Sequence, residues 1–259
     1  MARSIESVLA QTETDWELII VNDCSVDNTL EIAQRYAQKD NRITVITNQQ
    51  NKKLPASLNV GFNKATGKYL TWTSDDNYYL PNSLSKMGTI LDKKDDISFV
   101  YADIDYIDED EKLIKHGKLK EPEDLFDGCC IGACFLYRRE ILEKIGKYRE
   151  DLFCAEDYEY WMRIYTSGFK MFHLPEILYK YTQNSASLTA TKQELVQRRT
   201  TAIKIEYLDK FIISDKKKAL SLFKQYKRTK DKELLGIIKK LSPFWSAVWL
   251  LKLKLKGKK

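Results

Sequence analysis

"ELIIVNDCSVDNTLEIAQRYAQ", residues 17–38, holds four consecutive apolar residues, Leu18 to Val21, which stop at Asn22 and Asp23 and give way to a helical spacing. An unbroken apolar run of that length marks a strand covered on both faces, as in a parallel sheet, because a half-wet strand would alternate. Ser25 or Asp27 can then accept the free amides of a helix over about 28–38. Strand, polar turn and helix form the unit from which α/β sheets are wound.

The same unit recurs on both sides. Upstream, "SIESVLAQT" sets Ile5, Val8 and Leu9 at i, i+3 and i+4, one face of a short helix. Downstream, "RITVITN" reads as a second strand and residues 55–66 as a helix, which Gly67 is expected to end in the left-handed conformation. "KYLTWTS" is a third strand that ends on Asp75 and Asp76, and Pro81 suits the first turn of the helix "PNSLSKMGTIL". Residues 1–120 are therefore expected to be α/β, a doubly wound, Rossmann-like and mostly parallel sheet.

Residues 121–191 are less regular and predict an α+β half. "GACFLYRREILEKIG" is a strand feeding a helix closed by Gly146. "FCAEDYEYWMRIYTSG" is a helix with Glu156 and Asp157 in its first turn and Gly168 after its last. Tyr158, Trp161, Met162 and Tyr165 share one face of it and are expected in the core. Residues 192–259 predict a basic helical extension.

In open parallel sheets ligands lie beyond the carboxyl ends of the strands, so Asp23, Asp75 and Asp76 are expected to gather at one rim. Three carboxylates together repel unless a cation or hydrogen-bond donors hold them. Mg²⁺ or Mn²⁺ is the natural partner, and it in turn attracts a diphosphate. Asp and Asn also end strands and open turns for purely conformational reasons, so spacing alone leaves both readings standing.

The chain has 259 residues, 43% apolar and 31% charged, enough for one large or two small cored domains. Cys24, Cys129, Cys130, Cys134 and Cys154 are odd in number and contain no C-x-x-C pair, which argues against a disulfide framework or a zinc ribbon. They are expected as reduced thiols of a cytosolic protein. No apolar run approaches the roughly 20 residues of a bilayer span. The net charge of +6 conceals a split, since residues 211–259 carry 15 Lys and Arg against 3 acidic residues. The remaining body carries 28 basic and 34 acidic residues, and that acidic body argues against nucleic acid as a partner.

Other motifs carry little. "GFNKATGKY" spaces its glycines wrongly for a phosphate loop and runs from helix to strand. "DIDYIDEDEK", residues 103–112, has EF-hand-like acids without the sixth-position glycine and reads as a hairpin turn. His116 and His173 have no partners at nucleophile or zinc spacing.

Together, "SIESVLAQTETDWELIIVNDCSVDNT", "TSDDNYYLP" and "GACFLYRREILEKIGKYREDLFCAEDYEYWMRI" resemble glycosyltransferase family 2, inverting enzymes of the GT-A fold, over roughly residues 2–189. The resemblance implies that Asp23 contacts the nucleotide base. It implies that Asp75 and Asp76 bind ribose, metal and diphosphate, and that Asp157 is the general base, with Glu156 orienting the acceptor or standing in as base. It further implies a divalent metal, Mn²⁺ or Mg²⁺, a nucleotide-diphosphate sugar donor, most simply UDP-linked, and a polysaccharide or lipid-linked saccharide acceptor at the cytoplasmic face of the membrane.

Three departures from the family pattern bear on those roles. Thr73 stands where the D-x-D pattern usually begins, which makes Asp76 the first choice for metal and Asp75 for ribose or a shared role. Asn184 stands near where many members carry a histidine. The chain starts at the first helix, without the family's first strand, and a gap inside a sheet would leave on the order of ten backbone groups unpaired at ~1–3 kcal/mol each. The chain as written is therefore expected to be poorly stable or catalytically weak, with a truncated, inactive sugar-nucleotide-binding relative as the alternative. In the extension, Trp245 and Trp249 lie one turn apart among lysines, which suits the surface of an anionic leaflet or, equally, a solvated tail packing on the core.

Overall fold

The computed structural model describes residues 1–185 and 187–256. Residues 257–259 of the predicted extension and Ala186 of "YKYTQNSASLT" lie outside the described residues.

Helices and strands alternate through the first half, as the apolar runs require. α1 (Ala2–Leu9) precedes β1 (Leu18–Asn22), α2 (Thr29–Ala37), β2 (Ile43–Thr47) and α3 (Lys53–Lys64). β1 and β2 pair in parallel over five residues, Leu18 opposite Ile43 through Asn22 opposite Thr47. β3 (Tyr69–Leu70), β4 (Tyr78–Tyr79), α4 (Ser83–Lys93), β5 (Ile97–Ile107), β6 (Leu113–Gly117) and β7 (Phe135–Arg138) follow. α5 (Arg139–Ile145), α6 (Glu156–Thr166) and β8 (Lys170–Thr182) complete the second half.

The second sheet is centred on β5, nearly every residue of which is buried. β8 ladders one edge of β5 in parallel over ten residue pairs, from Ile97–Lys170 to Ile107–Thr182. β7 and β6 share the other edge, both antiparallel. β3 and β4 join the outer edges of β7 and β8, also antiparallel. The α/β class holds, and the parallel pairings are the long ones. The single sheet expected from sequence is instead divided, with β1 and β2 standing apart from the six-stranded sheet among the described residues.

The division falls where "KYLTWTS" falls short of a full strand. Only Tyr69 and Leu70 ladder with β7, and the hydroxyl of Thr71 then takes over, donating to the carbonyl of Phe135 at 2.6 Å. Side chains bridge the two sheets. The Glu17 carboxylate, just before β1, accepts hydrogen bonds from the amides of Thr66 and Gly67 at 2.6 and 2.8 Å. This also revises the helix stop. α3 ends at Lys64 with Ala65 extended, and the left-handed glycines among the described residues are Gly132, Gly146 and Gly168, so Gly67 serves as a donor to Glu17 rather than as a cap. Gly146 and Gly168, at φ 81° and 84°, close α5 and α6 as their spacing predicts.

Aromatic residues fill the main core. Trp161 of α6 packs edge-on against Phe99 and Phe135, with centroids 5.0 and 4.6 Å apart, and Tyr158, Tyr160 and Met162 are buried with it. Tyr160 faces inward as well, stacked on Tyr148 at 4.1 Å.

The extension folds as helices. α7 (Leu188–Thr191), α8 (Gln193–Glu206), α9 (Asp215–Thr229), α10 (Lys232–Leu241) and α11 (Pro243–Lys256) follow β8. Lys204 of α8 is buried, its ammonium donating to the Asp127 carbonyl at 2.9 Å and to Ser221 Oγ of α9 at 3.0 Å. Burial pushes its pKa down to about 8.

Candidate active site

Asp23 follows β1 directly, and its carboxylate is engaged by the start of α3. Oδ1 accepts from the Lys52 amide and from Asn48 Nδ2, each at 2.8 Å, and Oδ2 accepts from the Lys53 amide at 2.8 Å. Burial works to raise this carboxyl, but those donors outweigh it and hold it below the usual aspartate range. Asp23 thus caps a helix that lies about 30 residues further along the chain. Among the described residues no three acidic, histidine or cysteine side chains converge well enough to hold an ion, so Asp23 does not join Asp75 and Asp76 around one metal.

Asp75 and Asp76 form the turn between β3 and β4, and neither carboxylate is hydrogen-bonded or ion-paired among the described residues. The backbone beneath them, by contrast, is fixed from three directions. The Asp76 carbonyl accepts from Arg3 Nη2 at 2.7 Å and from Thr182 Oγ1 at 2.6 Å. The Ser74 carbonyl accepts from Ser4 Oγ at 3.0 Å, and Asn77 Oδ1 accepts from the Thr182 amide at 2.7 Å. Arg3 also reaches Glu111 at 2.9 Å and lies over the ring of Tyr78. A rigid backbone carrying two free carboxylates is a good base for a hard divalent ion, whose shell a diphosphate and waters can complete. Asn184 lies two residues past Thr182, and its Oδ1 is buried without a hydrogen-bond partner among the described residues. The turn's two carboxylates are the donor type that Mg²⁺ or Mn²⁺ takes.

Glu156 and Asp157 open α6, as predicted. Glu156 is 4% exposed, and its Oε2 has no hydrogen-bond partner. Burial, reinforced by the charge of Asp157, pushes its pKa up to about 7. Burial also raises Asp157, although the Tyr158 amide donates to its Oδ1 at 2.6 Å. Both shifts run against the helix dipole, which favours ionised acids in a first turn. Desolvation wins here, and it makes each carboxylate a stronger base than an ordinary one of its kind. Tyr148 senses the Asp157 charge and accepts a hydrogen bond from Trp72 Nε1 at 3.1 Å, linking the base of the Asp75 turn to the start of α6. Neither Trp72 nor Tyr148 was singled out by the sequence.

Glu156 has a measurable cost. Its pKa is higher folded than unfolded, so its contribution to stability is full below about pH 4.5 and is lost as pH rises through about 7. Thermal melts are expected to lose on the order of 3 kcal/mol across that window at 1.36 kcal/mol per pKa unit. Glu156→Gln should flatten the profile, and an unchanged slope in the variant would assign the loss to other groups.

Backbone strain gathers at the same places. Among the described residues five non-glycine residues have positive φ, and four of them lie beside these groups: Cys24 after Asp23, Lys53 on Asp23, Glu111 on Arg3, and Cys154 two residues before Glu156. Each such residue costs of order 1–3 kcal/mol, which a fold retains where geometry is over-determined.

Residues 1–146 match the family model of glycosyl transferase family 2, more than half of the chain. The chain belongs to glycosyl transferase family 2. Curated relatives in the family include the putative glycosyltransferase EpsE of Bacillus subtilis, 33% identical over 71% of this chain and 69% of the relative. The uncharacterized glycosyltransferase MJ1057 of Methanocaldococcus jannaschii is 32% identical over 70% of this chain and 65% of its own length, so the chain spans about two thirds of that relative. Among solved structures, S. aureus TarS 1–349 in complex with UDP superposes with a TM-score of 0.66 at 19% identity, over 94% of this chain and 77% of that one. The mannosyltransferase PcManGT of Pyrobaculum calidifontis, in complex with GDP-Man and Mn²⁺, gives a TM-score of 0.64 at 14% identity, over 99% and 76%. These neighbours share the GT-A fold. The family match ends at Gly146, so Glu156 and Asp157 lie beyond it.

Proposed function

We propose that the chain is a metal-dependent inverting glycosyltransferase that moves a sugar from a nucleotide-diphosphate donor, UDP-linked, to a hydroxyl of a cell-surface polysaccharide or glycolipid at the inner face of the membrane. The observation that carries this reading is the pairing of two features. One is a rigidly backed turn with two free carboxylates, and the other is an acidic pair of raised basicity, Glu156 buried and Asp157 half-buried, with Trp72 and Tyr148 between them. The UDP, UDP-GlcNAc and GDP-Man complexes of the neighbours support the donor class.

In this reading Asp23 holds the loop against which the base is recognised, and Asp75 and Asp76 face the ribose and diphosphate. A divalent ion bound there supplies Lewis-acid stabilisation of the charge that builds on the departing diphosphate. Asp157 takes the acceptor hydroxyl proton as the oxygen bonds to the anomeric carbon, and the bond from that carbon to the diphosphate breaks with its electron pair leaving on the nucleotide. Attack from the face opposite the leaving group inverts the anomeric centre. Residues 1–120 form the donor half, 121–191 the acceptor half and 192–259 the extension.

The divided sheet favours a second reading, a sugar-nucleotide-binding relative with little or no turnover. Calorimetric titration with UDP and GDP, with and without Mn²⁺, tests the donor site, and release of UDP from candidate donors then separates the two readings. Mn²⁺-dependent binding with turnover is expected. Binding without turnover selects the second reading, and no binding by the folded chain removes both.

A further inference from the structure

α11 is apolar almost all round over residues 243–251, with Ser246 the sole polar side chain. A helix of that kind needs cover on every face. One face has it. Ser246 is buried, Trp249, Leu250 and Leu253 pack on the main core, and Trp249 lies 5.2 Å from Phe223 of α9. Trp245 sits beneath the Lys216 ammonium, 3.7 Å from the ring centroid. The tryptophans that mark the tail in the sequence thus face its own helices. The opposite face carries Phe244, Ala247, Val248 and Leu251, at i, i+3, i+4 and i+7, with Phe244 70% and Leu251 60% exposed. Nothing in the chain covers this stripe among the described residues.

We propose that this stripe is a membrane-contact face, seated in the headgroup region of an anionic bilayer. Charge selects the occupant. Lys239 and Lys240 at the end of α10 and Lys252 beside the stripe are exposed and without a carboxylate partner among the described residues. They belong to a segment with 15 basic residues against 3 acidic ones. Two large apolar side chains flanked by lysines that can extend to lipid phosphates is the layout of an interfacial helix. Attraction to an anionic leaflet adds to the apolar contact. α11 is packed on the body, so contact would fix which side of the molecule meets the lipid. The proposal concerns where transfer takes place and needs no assumption about donor or acceptor.

The test is co-sedimentation of the full chain with phosphatidylcholine vesicles, with and without phosphatidylglycerol, at low and high salt. Phe244→Gln with Leu251→Gln serves as the variant, since both side chains are exposed and Gln keeps the helix. Salt-sensitive binding to anionic vesicles is expected, falling about tenfold or more in the double variant as two apolar side chains no longer leave water. Equal binding of the variant, or no binding of the native chain, overturns the proposal. So does sedimentation velocity showing a dimer that the variant loses, which would assign the stripe to a second copy of the chain.

Discussion

Asp157→Asn is expected to lower the turnover number for sugar transfer by about 10²–10⁴-fold, the usual contribution of a positioned general base, while nucleotide binding stays unchanged. The substitution is nearly isosteric, and its amide oxygen can still accept from the Tyr158 amide that now holds Oδ1. What it removes is basicity. Asp157 is raised by burial, so the native group is a stronger base than a surface aspartate. Glu156 competes for the role, with a pKa near 7 and an unpartnered oxygen. Steady-state kinetics on Asp157→Asn and Glu156→Gln decide between them. Full activity in Asp157→Asn with collapse in Glu156→Gln would move the base one residue back along α6.

Asp76→Ala is expected to abolish the Mn²⁺-dependent part of UDP affinity, a loss of about 100-fold or more, because removing even outer-shell partners of a metal site costs about 10–100-fold. The thermal midpoint should hold, since the Asp76 carboxylate has no partner among the described residues and the backbone beneath it is fixed through its carbonyl. Calorimetry with and without Mn²⁺ separates the effects. A variant that keeps Mn²⁺-enhanced binding would shift the ligand role to Asp75 or away from this turn.

Much of this was legible because local chemistry dominates it. The four-residue apolar run of β1 needs burial on both faces, Gly146 and Gly168 readily adopt the left-handed backbone that follows their helices, and two adjacent acids after a strand mark a turn. The remainder depends on partners far off in sequence. Arg3 meets Asp76 across 73 residues, and Thr182 meets it across 106, and no periodicity announces either. Gly67 looked like a helix stop because nothing local reveals that Glu17, 50 residues earlier, claims its amide. The orientation of α11 was hidden for the same reason. Its apolar residues surround the helix, so only the position of α9 decides which of them face water.

The clamp on Asp76 ties two things that lie at opposite ends of the site's sequence. Arg3 is in the first turn of α1, so fraying of that helix removes one of the two side-chain donors on the Asp76 carbonyl and leaves Thr182 alone on it. Thermodynamic reciprocity then makes local melting of α1 and occupancy of the turn one coupled equilibrium. Whatever grips the turn must shift the opening equilibrium of α1 toward the folded helix by the same free energy. Conversely, a partner that peels α1 away would weaken the proposed nucleotide binding without ever touching the turn.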